Sequence, residues 1–389
     1  MRNVVFLGFV SFFSDVSTEM VYPLIPLYLT TVFGATPALV GVIEGIAESL
    51  ASLLKVFSGY ITDRWHHKKA VAGIGYGTGL FYKVALIFAT SWVGILAARV
   101  IDRIGKGIRT APRDVLVSES ADPNKMGSAF GIHKALDMAG SALGILMAYF
   151  LVVSSTGTFD FKRLFLISTI PALIGLIFLL FVKEKKQKNQ EIKVTSREPF
   201  WKHIRELNGD LKLYLFVVFL FTLGNSSNTF LLLRAKSVGF TDENVVLLYL
   251  LYNLTAALLS IPFGRLSDKI GRKKVLVGGY LIFSLVYLGF GLAESAPMMI
   301  GIFALYGFYT AMTAGAERAL ISEIAPPALK GTMLGLHGTI VGVALLPASV
   351  IAGFLWSGFG AVAPFLFGSV LSLGAALLLF FLLNKTKKR

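Results

Sequence analysis

Residues 118–133 read SESADPNKMGSAFGIH, and residues 322–337 read SEIAPPALKGTMLGLH. Ser118, Glu119, Pro123, Gly127, Gly131 and His133 recur at the same spacing as Ser322, Glu323, Pro327, Gly331, Gly335 and His337. Six matches in order and register do not arise by chance, so the chain repeats itself. A second pair, GYITDRWHHKK (Gly59 to Lys69) and GRLSDKIGRKK (Gly264 to Lys274), repeats around the first.

The rest of the chain is apolar. Of 389 residues, 55% are hydrophobic and 15% charged, against roughly one quarter charged in a soluble chain. A bilayer core takes roughly 20 apolar residues in helix, which predicts about twelve spans here. They centre near Asp15, Glu48, Phe81, Gly105, Gly140, Leu173, Thr222, Ala256, Ser284, Met312, Val343 and Val370. Linkers are short except for 183–212, KEKKQKNQEIKVTSREPFWKHIRELNGDLK, a charged, solvated segment. Within it Phe200, Trp201 and Ile204 are spaced for a helix lying on the membrane surface. The sequence thus divides into a first bundle over 1–182, a linker over 183–212 and a second bundle over 213–389. The fold class is an all-α integral membrane protein of two six-helix bundles. As repeats related by an axis along the membrane normal, they enclose one central cavity.

The formal charge of +15 does not mark a nucleic-acid binder, because Lys and Arg recur in short clusters between apolar runs. With both termini inside, inner loops and tails carry about two dozen Lys and Arg, while outer loops carry Lys162, Arg163, Arg234 and Lys236. Both termini and the linker are therefore expected in the cytoplasm, with the chain in the plasma membrane. The chain has no Cys, hence no disulfide, thiolate metal site or thiol redox centre. MRNVVFLGFVSFF begins as a signal peptide does, but Asp15 and Glu19 interrupt the run and no small-residue cleavage site follows. It reads as a retained first span.

Charges stand inside the spans. Between Trp92 and about Ser118, Arg99, Arg103 (beside Asp102), Lys106, Arg109 and Arg113 recur every three or four residues and share one helical face. Arg113 and Asp114 reach the inner surface, where Asp114 is expected to pair with Arg64 or Lys68. Ten residues of helix cover roughly 15 Å, so Arg99 through Arg109 do not all reach it. Asp15 and Glu19, Glu44 and Glu48 (each i, i+4), Lys55, Lys83, His133, Lys134 and Asp137 lie in spans of the same half. Each such charge costs about 3 kcal/mol against lipid, and half a dozen exceed a domain stability of about 5–15 kcal/mol. They face a wet cavity or one another, acids of spans one, two and five against bases of span four. Static ion pairs and a transport path with a proton relay are the two readings.

Glu19 leads the candidates for proton carrier, with Asp15 second and Glu44, Glu48, Asp137 and His133 behind. A carboxylate drawn out of water becomes able to exchange protons near neutral pH. The candidate substrate cavity takes Arg99, Asp102, Arg103, Lys106, Arg109 and Lys134 from the first half. From the second it takes Asn225, Asn228, Tyr252, Glu317, Arg318 and His337. Tyr249, Tyr306 and Tyr309 either line the cavity or pack in place. His133 and His337 are either packed residues or a proton-linked gate. The acids suit a cationic or zwitterionic solute and the span-four bases an anionic or amphipathic one.

Gly264-x3-Asp268-Lys269-x-Gly271-Arg272-Lys273 resembles the loop signature of the major facilitator superfamily. The first-half copy keeps Gly59, Asp63 and Arg64 but has His66 and His67 at the Gly and Arg places. The resemblance covers the whole chain, since span number, linker and repeat agree with it. It implies a rocker-switch transporter whose two loops latch the cytoplasmic side, Asp63 and Asp268 each meeting a helix N-terminus of the opposite half. The gate residues so implied are Gly59, Asp63, Arg64, Asp114, Gly264, Asp268, Lys269, Gly271 and Arg272, with the weaker latch in the first copy.

A narrower resemblance is to the drug/proton antiporters. Glu19-x3-Pro23-x2-Pro26 is similar to their first-span motif with Glu for the commoner Asp. Gly131-x8-Gly140-x3-Gly144 matches their fifth-span glycines, with Ile145 in place of the following Pro. This implies proton-coupled efflux of a small or amphipathic organic solute by alternating access, from a monomer in contact with membrane lipids and without a cofactor or metal. The alternatives are a proton- or sodium-coupled symporter or uniporter for an organic anion or lysolipid-like solute, and a non-transporting receptor. An enzyme is disfavoured. GKG at 105–107 lacks the Gly-x4-Gly-Lys-Ser/Thr spacing of a phosphate loop, and neither Gly-x-Ser-x-Gly nor His-Glu-x-x-His occurs. Uphill transport would therefore draw on an ion gradient.

Overall fold

The computed structural model describes residues 1–34, 50–63, 67–153, 160–184, 209–226, 228–326 and 329–382. Glu44, Glu48, Arg64 and most of the expected linker lie outside them. Every long element described is a helix. In chain order these are α1 (Arg2–Val21), α2 (Ile25–Phe33), α3 (50–63), α4 (Lys68–Phe88), α5 (Trp92–Ser120), α6 (Met126–Val153) and α7 (Phe161–Leu180). They continue as α8 (Gly209–Gly224), α9 (Asn228–Ser237), α10 (Asp242–Ile270), α11 (Arg272–Leu292), α12 (Ala296–Ile324), α13 (Lys330–Phe359) and α14 (Ala363–Leu382).

Among the described residues nine helices are long and apolar enough to cross a membrane. The shortfall from about twelve has local causes. α5 has the length, at 29 residues, but carries the charges. α8 has only 16 residues because the seventh span breaks before Asn228. The residues before α3 are not described. The break recurs in the first span, where α1 stops at Val21 and a turn at Tyr22–Leu24 leads into α2. Pro23 stands in that turn and Pro26 in the first turn of α2, where a missing N–H is harmless.

The helices keep the repeat's register to the residue. Three pairs start 204 residues apart: α4 and α11 at 68 and 272, α5 and α12 at 92 and 296, α6 and α13 at 126 and 330. Packing repeats as well. α1 lies on α7 as α8 lies on α14, α4 on α5 as α11 on α12, and α4 on α7 as α11 on α14. Polarity is inverted relative to a soluble protein. Phe88, Leu258 and Phe354 are about three-quarters exposed, whereas Arg99 is wholly buried, as a helix bundle bathed in lipid requires.

Two compact units form. The first comprises Met1–Ala121, Leu136–Gln190 and Leu329–Leu336; the second comprises Asp122–Ala135, Glu191–Ala328 and His337–Arg389. The opening turns of α6 therefore pack with the second unit, and those of α13 with the first.

Candidate functional site

Two contacts explain that exchange, and each lies within one unit. A helix start leaves N–H groups without intrahelical partners, and its dipole favours a negative charge there. At the end of α10, Asp268 accepts the Gly127 N–H at 2.7 Å, the Ser128 N–H at 2.7 Å and the Ser128 hydroxyl at 2.5 Å. At the end of α3, Asp63 accepts the Gly331 N–H at 2.8 Å, the Thr332 N–H at 2.6 Å and the Thr332 hydroxyl at 2.7 Å. The glycines let the backbones approach this closely. A Cβ on Gly127 would stand 2.6 Å from the Gly264 carbonyl oxygen, and one on Gly331 would stand 2.7 Å from that of Gly59. Gly-x3-Asp is thus one device, in which the glycine admits the other helix and the carboxylate caps it.

The copies differ in whether a cation touches the carboxylate. Arg272 lies 3.4 Å from Asp268, donates to the Pro123 carbonyl at 2.9 Å and pairs with Glu323. Gly271 makes the turn before it, at φ 97°, a backbone that side chains resist. Lys269 is exposed. In the first copy Lys68 opens α4 where Arg272 opens α11 and bonds Glu119 as Arg272 bonds Glu323, while His67 precedes it in the place of Gly271; Lys68 makes no ion pair with Asp63. There burial pushes the Asp63 carboxyl up to about 6, against the pull of its hydrogen bonds and of Lys68. Asp114 takes no part in pairing with Lys68, contrary to expectation. Its own neighbour Arg113 reaches it first, at 2.9 Å, while Lys68 bonds Glu119 at 2.5 Å.

The charged face of α5 is buried in the first unit, Lys106 being only half-buried. Arg99 and Arg103 flank Asp102, with nitrogen–oxygen distances of 3.6 and 3.9 Å. Both guanidinium groups also lie over the Tyr22 ring, at 5.2 and 5.7 Å from its centroid, and Arg109 lies 4.7 Å over Tyr76. Such cation–π contacts contribute about 0.5–2 kcal/mol each, more where water is excluded. Lys83 is buried between Tyr82 and the Thr18 hydroxyl.

The acids of α1 face these bases. Glu19 sits in the field of Lys106, Arg103 and Arg99, with Asp137 also near. Asp15 meets Asp137 carboxyl to carboxyl, with Arg109 and Glu19 close by. α1 reaches α6 because Gly140 packs on the Phe12 backbone and Gly144 on that of Val16, beside Glu19. The expected network of span-one and span-five acids with span-four bases is present. Asp102 is held by Arg99 and Arg103 of its own helix, with Lys83 of α4 also acting on it.

The second unit carries aromatic rings and amides where the first carries charge. Tyr249, Tyr252, Tyr306 and Tyr309 form a ladder with centroids 5.0–5.6 Å apart. The Tyr306 hydroxyl donates to the Asn228 side-chain oxygen at 2.9 Å, and Tyr287 to that of Asn225 at 3.3 Å. Glu317 accepts the Tyr280 hydroxyl at 3.1 Å and faces His337 at 3.9 Å. Arg318 is half-buried next to it. His133 is fully buried on α6, and Lys134 half-buried beside it.

Sequence reasoning missed Ser128 and Thr332, although a hydroxyl residue follows the repeated glycine in both copies. It also missed the tyrosines that cover the cations. Tyr22 and Tyr76 sit among ordinary span residues, and only the folded chain brings them onto α5.

Comparison with known proteins agrees with this architecture. The family profile described as Major Facilitator Superfamily matches residues 7–247 and 214–389. An uncharacterised MFS-type transporter of Methanocaldococcus jannaschii is 40% identical, over 98% of this chain and 95% of that protein. The multidrug resistance protein MdtH of Photorhabdus laumondii is 22% identical, over 84% of this chain and 80% of its own. Among solved structures, the human organic anion transporter MFSD10 superposes with a TM-score of 0.83 at 19% identity, over 97% of this chain and 99% of that one. The proton:xylose symporter XylE gives 0.75 at 19% identity, over 97% and 94%. These two likenesses concern the fold alone. From the profile match and the 40% relative, the chain belongs to the major facilitator superfamily as an MFS-type transporter.

Proposed function

We propose that the chain is a proton-coupled secondary transporter that exports a small or amphipathic organic solute by alternating access. The observation that carries this reading is the buried meeting of Asp15 with Asp137, beside Glu19 and opposite the bases of α5. Two carboxyl groups in contact are stable only with a proton between them, and a buried charge network inside a membrane usually marks a relay. Glu19 is the carrier, Asp15 and Asp137 its reserve, and the α5 bases hold the acids in place or meet the solute. The transporter acts as a monomer of two functional halves, 1–182 and 213–389, with both termini and the linker on the cytoplasmic side of the plasma membrane.

The driving force is adequate. One charge moved through about 100 mV yields about 2.3 kcal/mol, enough for roughly a fifty-fold gradient. A second reading, a carrier for an organic anion, is favoured by Arg99, Arg103, Lys106 and Arg109 on one face, and by the likeness in fold to the organic anion transporter MFSD10.

Proteoliposomes with an imposed pH gradient test the proposal, after a thermal-shift screen of metabolites, drugs and lysolipids has supplied a substrate. Glu19→Gln keeps shape but not proton exchange, so it should abolish uphill transport and leave downhill equilibration. Asp15→Asn should give a milder form. If both variants transport uphill like the unmodified chain, the relay is misplaced. If collapse of the proton gradient leaves uphill transport intact, proton coupling is wrong.

A further inference from the structure

The register of 204 residues pairs Tyr76 with Tyr280, Arg113 with Glu317, and His133 with His337. The same three sequence positions thus carry a tyrosine, an ionisable group and a histidine in each copy, with different chemistry; in the second copy all three lie in one unit and meet. In the first copy the ionisable group is Arg113, which does not deprotonate in proteins, and Asp114 neutralises it at 2.9 Å. In the second copy it is a carboxylate. Its Oε1 accepts the Tyr280 hydroxyl at 3.1 Å, and its Oε2 faces His337 Nε2 at 3.9 Å. The Tyr214 ring lies parallel to the imidazole at 6.2 Å, and the Tyr214 hydroxyl points to the Glu317 backbone carbonyl at 3.5 Å. Among the described residues, Arg318 and Tyr309, both on its own helix, also act on the carboxylate.

We propose that Glu317 and His337 form a second proton-binding site, lodged in the second unit and separate from Glu19. With the carboxylate ionised and the imidazole neutral, protonated on Nε2, the pair carries one negative charge. A proton added at Nδ1 makes an imidazolium–carboxylate pair of zero net charge, which closes the 3.9 Å gap. Tyr280 holds the other oxygen, so the carboxylate cannot turn away. His337 follows Thr332 by five residues on α13, roughly 8 Å along the helix, and Thr332 is the residue that Asp63 grips. The site is therefore carried by the helix whose first turn makes the latch. The site's role in transport rests on the proton-coupled reading above, whereas its binding of a proton is measurable without transport.

The test is infrared difference spectroscopy of protonated carboxyl groups, on the full chain in lipid nanodiscs titrated from pH 4 to 10. The unmodified chain should show a titrating band that Glu317→Gln removes and Glu19→Gln leaves. His337→Gln should move the midpoint of that band up by about one pH unit or more, because a cation within a few ångströms keeps a carboxylate charged. Tyr280→Phe should move it in the same direction. A spectrum unchanged by Glu317→Gln, or a midpoint indifferent to His337→Gln, overturns the site. Should those variants fail to fold, nitrogen-15 histidine spectra of the unmodified chain decide, since it has five His. One imidazole must then take up a proton while its carboxylate stays ionised, with a carboxyl band rising only at lower pH, and no imidazole doing so overturns the proposal. If the band behaves while transport ignores the proton gradient, the transport reading falls and the site stands. If transport is proton-driven and Glu317→Gln leaves the spectrum unchanged, only the site falls.

Discussion

Asp268→Asn isolates the energetics of the latch. Asp268 takes two backbone N–H groups and one hydroxyl at the start of α6, and pairs with Arg272. Asparagine keeps one acceptor oxygen, turns the other end into a donor facing donors, and leaves Arg272 without that charge. A charge at a helix start contributes about 0.3–1 kcal/mol, up to about 2 when partly buried. A hydrogen bond to a charged group contributes about 1.5–3 kcal/mol. Because the same atoms supply both terms, about 2–3 kcal/mol is the sensible total, a shift of roughly 30- to 150-fold in the latched population. Asp63→Asn should do much less at pH 7. Burial has already raised that carboxyl to about 6, so desolvation offsets much of what its hydrogen bonds contribute. The native chain has no Cys, so spin labels go on cleanly at Asn124 and Lys269, and at His67 and Lys330. Double electron–electron resonance then reads the two latches separately. Equal population shifts for the two substitutions would refute the argument that the direct Arg272–Asp268 contact, which Lys68 does not make with Asp63, sets the two latches apart.

Three further outcomes follow from the same geometry. The Asp63 contact should strengthen as pH falls: a carboxyl with a latched value of about 6, above the usual 3.8, takes up a proton on latching. Its gain begins near pH 6 and is complete near 4, and Asp63→Asn should flatten the response in the same spin-label measurement. Gly127→Ala should lower the unfolding temperature in detergent by the equivalent of about 1–3 kcal/mol. The new Cβ meets the Gly264 oxygen at 2.6 Å and the Ser267 hydroxyl oxygen at 1.9 Å. An unchanged melting curve would show that the helices slide apart freely. A Cys at Asn189 should resist an impermeant thiol reagent applied to intact cells, given the Lys/Arg asymmetry of the loops; labelling from outside would invert the topology.

The repeat was legible because it is written in small and charged residues whose spacing survives any packing. Asp63 and Asp268 were found that way, through a loop signature. The α5 cluster was legible as a face, since spacing alone sets which residues share it. Its partners were not. Asp102 serves Arg99 and Arg103 from the same helix with Lys83 of α4 near, and Asp114 serves Arg113 next door while Lys68 goes to Glu119, pairings that spacing alone does not decide. Asp15 meeting Asp137 depends on Gly140 and Gly144 admitting α1, a packing fact visible only in three dimensions. The spans read near Gly105 and Thr222 are present as α5 and as α8 with α9, though charge on the one and the break in the other keep them from the nine that pass on length and hydropathy alone.

Asp63 and Gly331 are 268 positions apart. At about 5–20 residues per second of synthesis, the acid emerges from the ribosome roughly a quarter to one minute before its partner exists. The first unit's last closure thus waits for the late arrival of segment Leu329–Leu336, which completes it. The cap that α3 supplies is thus among the last contacts of the first unit to form during synthesis. Truncation before residue 329 therefore removes a segment of the earlier unit as well as of the later one, and leaves Asp63 without the two N–H groups it caps.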